Sequence, residues 1–246
     1  MPVNALRRKF LWAMCILLLA AAAPDRALCR KPRAVLQPAA GSAVAATAKR
    51  GRSGLHIDKA RQVNFTTQLN DGAGFRWDIQ YYLNIGQGTN HAYSGGVYAQ
   101  INGNNVSSNG RGWINAAGDE IEIGPWNPGN LNCYRRLKVY KDQGLARWLD
   151  VLENTSGAEQ TVQLQVYTCT NSSTQATWTN TGGQAFGDAK DFAFITTPGH
   201  NRPSLLHVVC GPRSEVRPTV QINNNQIYVR YSVTIPAGET AVVCYF

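Results

Sequence analysis

His91 sits in the run Thr89-Asn90-His91-Ala92-Tyr93-Ser94-Gly95-Gly96, a polar stretch with aromatic and glycine neighbours. Loops of that kind collect ligand contacts, because a rigid scaffold holds them while their side chains stay accessible. Trp113 follows Asn109-Gly110-Arg111, and Trp126 lies in Gly124-Pro125-Trp126-Asn127-Pro128. An indole face stacks on the apolar face of a sugar ring, and polar neighbours then hydrogen-bond the hydroxyls. His91, Arg111, Trp113 and Trp126 are therefore the candidate ligand residues. The competing use is packing, since core tryptophans are ordinary in β-sandwiches.

Proton-transfer chemistry would need paired carboxylates within about 5–10 Å of each other across a cleft. Asp119, Glu120 and Glu122 are clustered, and Asp150 and Glu153 flank a strand-like run. Alternation places Glu120 and Glu122 on one face of a short strand, where a solvated face is the ordinary outcome. Asp150 and Arg147 are expected to serve strand pairing or a turn. His207 alternates with Leu205 and Val209 and reads as a satisfied sheet residue.

Other chemistries lack their sequence handles. No G-x-S-x-G nucleophile turn is present. Gly86-Gln87-Gly88-Thr89-Asn90-His91 lacks the third glycine and the helix that would hold a pyrophosphate. Walker, H-E-x-x-H and C-x-x-C patterns are missing as well, so no catalytic residue, metal or cofactor is assigned. A carbohydrate-active enzyme using His91 with an acidic cluster stays open as the alternative to a non-catalytic binding or envelope module.

The elements that must position these residues are strands. After residue 60, short runs rich in Val, Ile, Tyr, Trp and Thr recur between Gly, Asn, Pro and Ser clusters. In 160–170, Val162, Leu164 and Val166 fall on one face and Gln163 and Gln165 on the other, the pattern of a half-buried antiparallel strand. No apolar repeat of period 3.6 is sustained there, so crossover helices and a parallel sheet are not expected. Turn residues at Asn70-Asp71-Gly72, Asn102-Gly103 and Pro236-Ala237-Gly238 complete the pattern. The expectation is an all-β antiparallel sandwich or supersandwich of about 12 strands. The terminal Val242-Val243-Cys244-Tyr245-Phe246 also suits a membrane barrel, but runs such as Leu205-Leu206-His207-Val208-Val209 are apolar on both faces, unlike barrel strands.

The formal charge of +9 sits at the front of the chain. Residues 1–61 hold 12 Lys/Arg against Asp25 and Asp58, a net of +10, which leaves −1 for the remainder. A near-neutral fold gains little from phosphate neutralisation, so no nucleic-acid partner is expected. Arg7-Arg8-Lys9, the apolar run Phe10–Ala23 and the small residues after it have the layout of an export signal at 1–29. That run is shorter than the roughly 20 apolar residues a membrane span requires, so no transmembrane span is expected in the mature chain. Residues 30–61 have the Ala, Gly, Pro and basic composition of a disordered linker or propeptide, leaving 62–246 as the β domain. The expected location is secreted, periplasmic or cell-envelope, with a glycan or envelope component as partner.

Cys15 and Cys29 lie in the leader, and Cys133, Cys169, Cys210 and Cys244 in the domain. An even number in an exported chain makes two disulfides the expectation, with three pairings open. The alternative is four thiols acting as small hydrophobes. Asn64, Asn105, Asn154 and Asn171 begin Asn-x-Ser/Thr sequons.

The stretch Tyr134–Tyr140, then Arg147-Trp148-Leu149-Asp150-Val151-Leu152-Glu153-Asn154, then Thr161–Val166 resembles exported bacterial β-domains of the supersandwich, galactose-mutarotase-like type. The closing Tyr231–Thr240 is similar to their last hairpin, and coverage is about residues 119–246. The resemblance implies a fold rather than an activity. Sugar mutarotases use His and Glu at the sugar ring, and His91, His200 and His207 match no such motif here.

Overall fold

The computed structural model of the chain describes residues 55–108, 111–199 and 201–246. The export-signal segment, the linker up to residue 54 and His200 lie outside these residues. Among the described residues the chain forms sixteen strands and one short 3-10 turn, Thr89–His91. The first eight strands are β1 (Arg61–Asn64), β2 (Thr67–Asn70), β3 (Arg76–Ile79), β4 (Tyr98–Ile101), β5 (Asn104–Asn105), β6 (Arg111–Ile114), β7 (Glu120–Trp126) and β8 (Leu131–Val139). The rest are β9 (Ala146–Asn154), β10 (Gln160–Cys169), β11 (Thr174–Thr179), β12 (Ala193–Pro198), β13 (Leu205–Val208), β14 (Thr219–Asn223), β15 (Gln226–Ile235) and β16 (Thr240–Tyr245).

Two large antiparallel sheets result, one ordered β1-β6-β7-β8-β9-β16 and the other β14-β15-β10-β4-β5. Smaller sheets, β11-β12-β13 and β2-β3, flank them. The period-2 alternation of β10 and β15 sends Val162, Leu164, Val166, Val229, Tyr231 and Val233 inward, where they join one hydrophobic core with Ile121, Leu137 and Trp148 of the six-stranded sheet. Tyr231 and Tyr245 stack at 6.3 Å, linking the two sheets. The architecture is the antiparallel all-β sandwich expected from the pattern.

The six-stranded sheet is covered on its other face too. All nine residues of β9 are buried. The segment Leu55–Lys59 crosses that face as a strap: the Leu55 carbonyl accepts from Arg136 Nη1 at 2.6 Å, and the Ile57 amide donates to Glu122 at 3.2 Å. At the far edge Val208 and Phe246 exchange backbone hydrogen bonds of 3.0 and 2.9 Å, so the end of β13 pairs with the chain just past β16.

The expected disulfides are corrected by the fold: Cys133, Cys169, Cys210 and Cys244 are all free thiols. Cys133 of β8 lies opposite Leu152 of β9, and Cys244 of β16 lies opposite Leu149. Those partners are an odd number of residues apart on β9, so the two thiols project from opposite faces and sit two strands, about 10 Å, apart. A disulfide needs Cα atoms within about 7 Å. Cys169 closes β10, and its Sγ accepts from Ser94 Oγ at 3.2 Å and Asn225 Nδ2 at 3.1 Å. Cys210 is buried beside Arg217, with Nη1 at 3.6 Å. Burial, reinforced by Asp150 and Glu153, pushes the Cys133 thiol up to about 12. That thiol behaves as a small hydrophobe.

Of the sequons, Asn154 is buried, and its amide donates to the carbonyls of Ala158, Ile235 and Pro236 at 2.7, 3.0 and 3.0 Å. That amide clamps the turn after β9 and is closed to modification. Among the described residues no helix is long and apolar enough to cross a membrane.

Candidate functional site

The hairpin of β6 and β7 brings Arg111, Trp113 and Trp126 to one cleft of about 400 Å³, walled also by Ser107, Ser108 and Pro125. Arg111 and Trp113 are two apart on β6 and therefore share a face. Strict alternation would put Trp126 on the face of Glu120 and Glu122. A bulge between Ile123 and Trp126 changes this: Trp126 comes opposite Cys133 while Ile123 is opposite Arg135. The extra residue swings the indole to the side of Ile123, the face opposite Trp113, which pairs with Glu122, so the two indoles reach the cleft from opposite faces of the hairpin end. Gly124 makes the bulge accessible, because its φ is +115° and a Cβ would lie 2.6 Å from the Cys133 carbonyl oxygen.

The cleft presents a platform with few polar handles. Trp113 is 37 % exposed, an unusual state for so large an apolar ring. Lys59 Nζ lies over its ring at 5.9 Å from the centroid. Among the described residues the Trp126 Nε1 proton is buried without an acceptor, and the Arg111 guanidinium has no ion-pair partner. Of the two, the exposed Arg111 guanidinium is the donor a ligand can reach. No carboxylate lines the cleft.

His91 is elsewhere. It ends the exposed turn Thr89–His91, in left-handed backbone with φ +50°. Arg202 ties that turn to the 201–202 loop by donating to the Asn90 carbonyl at 2.9 Å. Among the described residues nothing joins His91 to the cleft or to an acidic cluster.

The carboxylates are already engaged. Glu120 Oε1 accepts from Arg136 Nε and Nη2 at 2.9 and 2.8 Å and from Arg147 Nη2 at 3.0 Å. Glu122 meets His56 Nδ1 at 3.1 Å and Lys59 Nζ at 3.5 Å, and His56 Nε2 reaches Glu153 at 3.7 Å. The His56 ring also packs edge-on against Tyr134, 4.2 Å between centroids. Glu120 and Glu122 share a face as alternation requires, but the Leu55–Lys59 strap buries it instead of leaving it solvated. His56 is a site residue that composition hid, since it falls in a segment that reads as linker.

Asp150, on the opposite face of β9, lies in the core with Arg135. Tyr245 donates to Asp150 Oδ2 at 2.7 Å, and Arg135 Nη2 donates to the Tyr245 hydroxyl at 2.9 Å and the Val97 carbonyl at 2.7 Å. Burial raises the Asp150 pKa, partly offset by Arg135 and the Tyr245 hydroxyl. Among the described residues no group of three or more His, Cys, Asp or Glu is arranged to hold a metal ion. Comparison with protein-family models and with curated proteins finds no match to this chain, so the reading of the site rests on its own chemistry.

Proposed function

We propose that the chain is an exported, non-catalytic glycan-binding module acting at or outside the cell envelope, with the Arg111–Trp113–Trp126 cleft as its binding site. The observation that carries this reading is one open cleft lined by the exposed Trp113 ring, by Trp126 from the other face of the hairpin and by a guanidinium without an ion-pair partner. Its volume falls within the usual range of ligand sites, about 300–1,000 Å³. An indole supplies the apolar platform a pyranose needs, while the Arg111 guanidinium and the Ser107 hydroxyl supply hydroxyl partners. Hydrolysis would call for two carboxylates beside the sugar, and the acidic side chains of the six-stranded sheet are held in ion pairs instead. The export-signal layout of the leader supports a location where glycans are met.

Titration against soluble oligosaccharides that score on a glycan array, with product analysis of the same mixtures, tests this. Trp113→Ala is expected to weaken binding about tenfold or more, equivalent to about 1.4 kcal/mol, with no sugar released. Sugar turnover that disappears in His91→Ala would defeat the binding-only reading.

A further inference from the structure

We propose that the solvent face of the five-stranded sheet is a second, flat glycan platform that takes an extended neutral polysaccharide running across the strands. The face is built in rows. Tyr98 of β4 lies opposite Tyr167 of β10, which lies opposite Tyr228 of β15. Their ring centroids are 6.3 and 5.0 Å apart, with interplanar angles of 33° and 38°. Two residues along the strands, Gln100, Gln165 and Arg230 form a parallel row.

The second row is tied together. Gln165 Nε2 donates to Gln100 Oε1 at 3.1 Å, and Arg230 donates to Gln165 Oε1 at 2.8 Å and to Gln221 Oε1 at 3.1 Å. The Arg230 guanidinium also lies over the Tyr228 ring at 5.1 Å. Beyond it Gln163 Nε2 donates to Ser232 Oγ at 2.9 Å. Side chains already held in place lose little freedom when a ligand binds. Each primary amide has two protons and a carbonyl with two lone pairs, so these bonds leave capacity for hydroxyls.

Charge selects the occupant. Strands β4, β5, β10, β14 and β15 contain no Asp or Glu at all, and Arg230 is their one cation. Solvent-facing sheet surfaces and edges ordinarily carry charge, which keeps them hydrated and unpaired. A polycation finds no counter-charge here and a polyanion only one. The aliphatic residues of β10 and β15 point inward, so a protein partner finds no hydrophobic patch. A neutral, hydroxyl-rich chain satisfies both rows: the C–H faces of the sugars pack across the exposed edges of the tyrosine row and hydroxyls reach the amides. One strand spacing, about 4.8 Å, is close to the advance of one pyranose in an extended β-linked chain, so the tyrosine row and the chain run at a similar spacing.

This platform is independent of the cleft, and the test separates them. Full-length protein is mixed with microcrystalline cellulose and with chitin powder, and the protein remaining in solution is measured. Depletion by at least one of the two powders is expected. Tyr167→Ala and Tyr228→Ala, each checked for an unchanged circular dichroism spectrum, are expected to weaken it about tenfold or more. Trp113→Ala is expected to bind the powder as the unaltered protein does while losing soluble oligosaccharide. The proposal is overturned if neither powder depletes the protein, if both tyrosine variants bind normally, or if Trp113→Ala alone abolishes the binding. Sedimentation showing a dimer that Tyr167→Ala splits would assign the face to self-association and overturn it equally.

Discussion

Arg135 and Asp150 are both fully buried, and stripping water from two such charges costs several kcal/mol per ion before their attraction is counted. Their bonds run through the Tyr245 hydroxyl to the Val97 carbonyl, so β8, β9, β16 and the approach to β4 are held in one register. His207 is a half-buried titratable group whose role is structural. Its Nε2 meets Thr196 Oγ1 at 3.1 Å, its ring stacks on Phe194 at 4.8 Å, and burial lowers its pKa from 6.5 to about 4. The fold therefore favours the neutral ring. The unfolded chain takes up the proton first as pH falls through 6.5, so stability is intact above that value and erodes down to about pH 4. Unscreened, the loss would reach about 3 kcal/mol, and because the ring is partly open to solvent the realised loss is about half that or less. Urea denaturation at pH 7 and pH 4.5 should show a smaller acid loss in His207→Gln than in the unaltered protein, and parallel losses would contradict the assignment. His207 was readable in the sequence as a sheet residue because Leu205 and Val209 flank it at period 2. Asp150 was read as a pairing or turn residue, because no local pattern announces a partner such as Tyr245 at the far end of the domain.

Among the elements, the strap matters most to the account. Leu55–Lys59 engages Arg136 and the carboxylates of the six-stranded sheet, and His56 bridges Glu122 and Glu153. His56→Ala leaves the buried Glu122 carboxylate short of a partner, and a stability loss of about 1–3 kcal/mol is expected by urea denaturation. An unchanged midpoint would show the strap to be a passive cover. The strap was invisible to sequence reasoning, since its neighbours are Gly, Ser, Arg and Lys and no period marks it. β15 was legible to the residue, because QIYVRYSVTI alternates cleanly. β11 carries only a weak signal, because TQATWT alternates poorly and owes its strand to pairing with β12. The bulge in β7 was equally hidden. Gly124-Pro125 reads as a turn in sequence, whereas its effect, carrying Trp126 across the sheet, depends on the Cys133 backbone beside it.

At the scale of the molecule, the sandwich followed from composition and alternation, and the site only in part. Arg111, Trp113 and Trp126 were named for their residue types, and the β6–β7 hairpin gathers them in one cleft. His91 was named on the same grounds, and the fold sets it on a separate turn. Residue type is local information, whereas the meeting of side chains is decided by topology. The stretches behind the resemblance to galactose-mutarotase-like domains do fold work: Asp150 anchors the core and Asn154 clamps a turn. Those residues serve architecture, and function must be read from the cleft. The most direct measurement is the set of indole Nε1–H signals of isotope-labelled protein, followed by NMR during titration with an oligosaccharide that scores on the array. Trp77 and Trp148 already donate to Asp71 and to the Leu83 carbonyl, so their signals should stay in place. Those of Trp113 and Trp126 should move together and saturate. Shifts confined to other tryptophans, or no shift at any of them, would contradict the account.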